Sequence, residues 1–143
     1  MPYRFLEDEA TADVAFEAWG KDLPEVFQAA ANAVVNVMLE NPRDIRPQEV
    51  KRFEVQNVQL DLLLFNFLEQ LIYYKDAQHF IGNVTRVEVT GADANWRAVA
   101  QVAGERLDPE RHHLSVDVKA ITLHEFTLVL ERAQWRAHVV LDI

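Results

Sequence analysis

DVAFEAWGKDLPEVFQAAANAVVNVM, residues 13–38, changes its hydrophobic period once, and that change decides the fold class. From Asp13 to Trp19, Val14, Phe16 and Ala18 alternate with Asp13, Ala15 and Glu17, the period of two expected of a strand with one buried face. Gly20 ends the alternation. Asp22-Leu23-Pro24-Glu25 then supplies a capping acid, a proline in the first turn and an acid three residues beyond the cap. Leu23, Val26, Phe27, Ala30, Val34, Val37 and Met38 recur at helical spacing, which predicts a helix laying one stripe on the core until Asn41-Pro42 stops it.

Working outward, Glu49 to Val58 reads as a strand carrying Val50, Phe53 and Val55, and Leu60 to about Lys75 as a second helix. Between Leu62 and Tyr74 the only charged residue is Glu69, so this second helix is expected to be the central one, buried on more than one side. Strand patterns follow at Val84 to Val89, Trp96 to Val102, Val116 to Ile121, Phe126 to Leu130 and Trp135 to Leu141. Gly91 to Asn95 and Arg132-Ala133-Gln134 read as hairpin connections. The pattern predicts a single α+β domain over residues 1–143, with two helices packed on a largely antiparallel sheet of about seven strands.

Composition excludes several function classes. The 143 residues contain no cysteine, which removes disulfides, thiolate chemistry and cysteine-ligated zinc or iron–sulfur centres and suits a cytoplasmic protein. No apolar run approaches the ~18 residues of a membrane span, and acids stand where a signal peptide would carry its apolar stretch. A net charge of −9 opposes broad binding to a phosphate backbone and favours cations and basic partners. With four glycines and no Gly-rich phosphate loop, nucleophile elbow or zinc-type histidine spacing, no catalytic residues are assigned.

The candidates for chemistry are carboxylates. Glu69 stands in an apolar helix, so it either reaches water or an arginine at the helix edge, or is buried and must be protonated, paired or bound to a cation. In the last strand Trp135, Ala137, Val139 and Leu141 alternate with Arg136, His138, Val140 and Asp142, which puts Asp142 on the face opposite the Trp-led stripe. The α-carboxylate of Ile143 is one residue away. Clustered carboxylates repel unless they share a proton or a cation, and all-oxygen ligation favours Ca²⁺, Mg²⁺ or Mn²⁺. Spacing alone leaves open whether Asp13, Glu69 and Asp142 meet. Lys119 reads as a solvated charge between core-facing Val118 and Ala120, and His112-His113 beside Glu110 as a solvated turn.

Six segments in register resemble the archease family over essentially the whole chain. They are Thr11-Ala12-Asp13-Val14, Glu25-Val26-Phe27, Asp61 to Glu69, Gly104-Glu105-x-x-Asp108-Pro109-x-x-His112, Lys119-Ala120-Ile121-Thr122-Leu123-His124-Glu125, and Leu141-Asp142-Ile143. The resemblance implies an α+β fold and a non-catalytic, metal-binding accessory role in tRNA processing and splicing. The partner implied is an RtcB-type, GTP-dependent RNA ligase, whose guanylylation on its own histidine and repeated turnover the protein would promote. It also implies that Asp13, Asp142 and Ile143 gather around a divalent cation, with calcium among the candidates. Glu69 would face the same acidic tip, and Lys119 and His124 would support the tip or touch the partner. The chain departs from the family at Ala10, where a histidine is usual, and at Ala15, where glycine is usual. The alternative is a chaperone-like module modulating other RNA-modifying enzymes, such as a tRNA methyltransferase.

Overall fold

The computed structural model describes residues 2–6 and 13–143. Seven strands and two helices follow in the order β1 (Tyr3–Leu6), β2 (Asp13–Gly20), α1 (Leu23–Met38), β3 (Glu49–Asn57), α2 (Leu60–Gln78), β4 (Phe80–Ala92), β5 (Asn95–Arg106), β6 (Ala120–Glu131) and β7 (Gln134–Asp142). Every strand pairing is antiparallel. The α+β class and the positions of both helices are as the periodicity predicts.

The strands form two sheets rather than one, of order β1-β2-β7-β6 and β3-β5-β4. Each helix packs against strands of both sheets, α1 on β2 and β4, α2 on β6 and β3, so the helices fill the space between them. The ring of Phe67 on α2 lies 5.2 Å from Phe27 on α1 and 5.2 Å from Phe53 on β3, tying both helices to one sheet. Burying a side chain of this size contributes about 1.5–3 kcal/mol.

The count of seven strands arises differently from the expected one. β1 was not expected, and the separate strands read at 116–121 and 126–130 are one strand, β6, beginning at Ala120. The register of β6 on β7 runs from Thr122↔Val140 directly to Thr127↔His138, so Leu123 to Phe126 bulge out opposite Val139. A bulge of this length breaks the period of two, which is why one strand reads as two.

Which helix is central is also reversed. α1 buries Val26, Phe27, Ala29, Ala30, Ala31, Ala33, Val34, Val35, Val37 and Met38, far more than one stripe, whereas α2 leaves Glu69, Tyr73 and Asp76 exposed. The alanines explain the difference: small side chains let α1 lie close to both sheets at once. Asp22 caps α1 by accepting the Glu25 N–H at 2.9 Å, and the Glu25 carboxylate accepts the Lys21 N–H at 3.3 Å. Val50 is exposed, because the alternation of β3 puts Phe53 and Val55 on the face it does not share.

Candidate functional site

The pairing of β2 with β7 places Asp13 directly opposite Asp142. Directly paired residues on antiparallel strands point to the same face, with Cβ atoms about 5 Å apart. That face is turned away from the helices, since Val14, Phe16, Leu141 and Val139 occupy the other one. The neighbour of Asp142 on its other side is Ala120, which brings no countercharge. Asp13 is half-buried and Asp142 exposed, and among the described residues neither carboxylate has an ion-pair partner.

The same face shows what compensation looks like. Four residues along β2, the Glu17 carboxylate is met by the Arg136 guanidinium at 3.0 Å and by Arg4 at 3.5 Å. Acidity at the Asp13 and Asp142 row is therefore uncorrected where the fold has corrected it nearby. Two unpaired carboxylates in one row, with oxygen as the donor type, fit a hard divalent cation.

Of the remaining candidates, Lys119 and Ile143 adjoin Asp142 and His124 lies on the β6 bulge. The Lys119 N–H donates to the Asp142 carbonyl at 2.8 Å, so its backbone ties the incoming chain to β7 while its side chain is exposed. Residues 116–119 lie outside regular strand, and Ala120 is exposed rather than core-facing; Val118 alone of the two neighbours is buried. Ile143 is half-buried and packs against the core. His124 is exposed on the β6 bulge, its N–H donating to the Thr122 hydroxyl at 3.3 Å. The bulge is pinned by His138, whose Nδ1 lies 2.8 Å from the Glu125 carbonyl. A carbonyl only accepts, so Nδ1 carries the proton.

Glu69 is exposed on α2, its carboxylate accepting from the Asn66 amide at 3.3 Å, which settles its environment as the helix-edge one. One turn earlier, Phe65 packs edge-on against Phe126 of the β6 bulge at 5.6 Å. Among the described residues no three His, Asp or Glu side chains form a group that could hold a metal. The structure thus brings Asp13 and Asp142 together as a pair, and among the described residues no third Asp, Glu or His side chain joins them. Ala10, Thr11 and Ala12 lie outside the described residues.

A second polar cluster escaped the sequence reading. His112 is buried, not part of a solvated turn, and so is Glu105. The His112 Nδ1 accepts the Asp108 N–H at 2.8 Å, which leaves the proton on Nε2 to reach Glu105 at 3.0 Å. The same Glu105 oxygen accepts the Arg46 N–H at 2.6 Å and pairs with Arg111, which in turn donates to the Asp44 carbonyl at 2.8 Å. Burial alone would raise the Glu105 pKa, but the Arg46 N–H, Arg111 and His112 outweigh it and bring it to about 2. Gly104 precedes Glu105 because β5 passes so close to β4 that a Cβ there would lie 2.0 Å from the Ile81 carbonyl oxygen. The Gly104-Glu105-x-x-Asp108-Pro109-x-x-His112 spacing was the available signal, and it is a folding motif.

Comparison with known proteins adds the family. The model of the Archease protein family (MTH1598/TM1083) matches residues 3–143. The chain belongs to the archease family. It is 35% identical to the archease of Pyrococcus abyssi over 141 residues, covering 98% of this chain and 99% of that one. It is 34% identical to the archease of Thermococcus gammatolerans, with the same coverage. The solution structure of protein 1598 of Methanobacterium thermoautotrophicum superposes with a TM-score of 0.85 at 29% identity, over 99% of each chain. An archease from Thermotoga maritima, described as a possible chaperone, shares the fold at a TM-score of 0.57 and 15% identity over 96% of each chain. No helix is long and apolar enough to cross a membrane among the described residues.

Proposed function

We propose that this protein is a metal-binding accessory factor that activates an RtcB-type, GTP-dependent tRNA-splicing RNA ligase in the cytoplasm. The observation that carries the reading is the Asp13 and Asp142 row, a cross-strand pair of like charges without a countercharge among the described residues, in a chain of the archease family. Such a row is unfavourable by itself and becomes favourable when a cation sits on it. The side chains of Asp13 and Asp142 would hold the cation, with an Ile143 backbone oxygen as third donor, and calcium, magnesium and manganese all suit such oxygens. When bound, that ion supplies positive charge on an otherwise acidic surface.

The chain's own residues do the rest. Asp13 and Asp142 present carboxylates at a strand end that the Lys119 N–H holds in place. Lys119 stands exposed next to Asp142, His124 on the β6 bulge and Glu69 on α2, all three open to contact with a partner. The protein transfers no group itself. It places charge at the metal centre where the ligase histidine is guanylylated, a step limited by charge and metal placement.

The test is single-turnover guanylylation of the ligase with GTP and Mn²⁺. Substoichiometric wild-type protein should accelerate formation of the ligase–GMP adduct and restore repeated turnover, and Asp13→Ala and Asp142→Ala should not. Unchanged rates with wild-type protein, against a ligase known to need activation, would overturn the reading and favour the chaperone-like module acting on other RNA-modifying enzymes.

A further inference from the structure

The basic residues of this acidic chain are unevenly spread. Arg46, Arg106 and Arg111, three of its 14, line one cleft of about 430 Å³ between the segment entering β3 and the turn leaving β5. Glu105, Asp108 and Gln48 line it too. Glu105 is engaged inside the fold, and Asp108 is exposed with one backbone hydrogen bond. Glu105 is taken by the Arg46 N–H, Arg111 and His112, and the Asp108 side chain accepts the Glu110 N–H at 3.0 Å. Arg111 is likewise committed, to Glu105 and to the Asp44 carbonyl.

Arg46 and Arg106 differ from it. Both are exposed, and among the described residues neither guanidinium has an ion-pair or hydrogen-bond partner. Two forks of five donors each therefore border a cleft also lined by the buried, hydrogen-bonded Glu105. We infer that this cleft is a seat for a phosphate group, held by Arg46 and Arg106 beside the Glu105–Arg111 pair.

The ligand class follows from donor geometry. A carboxylate has two oxygens in one plane and is satisfied by one guanidinium fork. A phosphate presents oxygens in tetrahedral directions and accepts from more than one fork at once. The fixed Glu105–Arg111 pair lowers the ordering cost of binding. The net charge of −9 opposes a long polyanion track and not a single seat. The phosphate comes either from a free nucleotide or from one position on an RNA chain. This inference is independent of ligase activation, and its test uses the protein alone.

The test is calorimetric titration at low ionic strength with pyrophosphate, with GTP and with a short single-stranded RNA. The variants are Arg46→Ala, Arg106→Ala, the double variant, and Arg52→Ala as a control at an exposed arginine on β3, outside the cleft lining. Both cleft side chains are exposed, so thermal melts should match wild type. Pyrophosphate should bind one to one, each single variant should weaken it about tenfold or more, and the double variant should lose it. Tighter binding of GTP than pyrophosphate assigns a nucleotide, and tighter binding of RNA assigns a nucleic-acid phosphate. Absence of pyrophosphate binding overturns the inference, as does equal weakening by Arg52→Ala, which would reduce the effect to general screening.

Discussion

Glu105 and the Asp13–Asp142 pair are two carboxylate sites built in opposite ways. Glu105 is buried, and every donor it needs comes from the same chain: the Arg46 N–H, the Arg111 guanidinium and the His112 ring. Asp13 and Asp142 stand at the end of a sheet and face each other across a strand pair with no cation from the described residues. Burial requires internal satisfaction, because an unpaired charge in the core costs several kcal/mol. A surface row can stay unsatisfied at small cost because water screens it. An uncorrected surface row is consequently where a protein keeps capacity for an external ion.

The largest expected effect lies in the buried cluster. Glu105→Gln should lower stability by about 3 kcal/mol, since it removes the buried charge that serves the Arg46 N–H, the His112 ring and the half-buried Arg111 guanidinium together. Chemical denaturation measures it, and a loss below about 1 kcal/mol would mean the cluster behaves like a surface pair. The pH profile sharpens the same point. Glu105 falls from its ordinary 4.5 to about 2 on folding, so its contribution is complete above pH 4.5 and is lost as the pH drops from there towards 2. The gap between wild type and Glu105→Gln should close over that window and stay constant above it.

Asp142→Asn should act in the other direction. Removing one of two facing like charges should raise metal-free stability by up to about 1 kcal/mol, and it should abolish any rise in melting temperature produced by Ca²⁺ or Mn²⁺. An unchanged cation response would place the ion elsewhere. Glu17→Gln, on the same face but paired with Arg136 and Arg4, should instead cost about 0.5 kcal/mol and leave the cation response intact. Glu69→Gln should change stability least, within about 0.5 kcal/mol, because its carboxylate is exposed and accepts one amide hydrogen bond. Its effect on ligase guanylylation then reports a role in contact and not in folding.

Much of this architecture was legible in the chain. Period-two alternation located β2 and β7, caps and breakers bounded α1, and the alternation in residues 135–142 put Asp142 on the outer face. These signals are local: a strand's face and a helix's ends depend on neighbours a few residues away. The candidate site was half legible. The residues were named, but whether they met depended on a register between strands more than 100 positions apart.

By itself, then, the sequence determined the α+β class, both helices, the hairpins, the absence of cysteine chemistry, and Asp13, Glu69 and Asp142 as the carboxylates to watch. Tertiary structure alone decided the division into two sheets, the centrality of alanine-rich α1 over apolar α2, and the bulge that joins two apparent strands into β6. It also decided that Asp13 meets Asp142 while His112 closes on Glu105. The physical reason is that periodicity reports which face of an element is apolar, whereas long-range pairing is chosen by the packing of all faces together, and volume matters there as much as polarity. Ala29, Ala30 and Ala31 are weakly hydrophobic residues, yet their small size lets two sheets close on one helix.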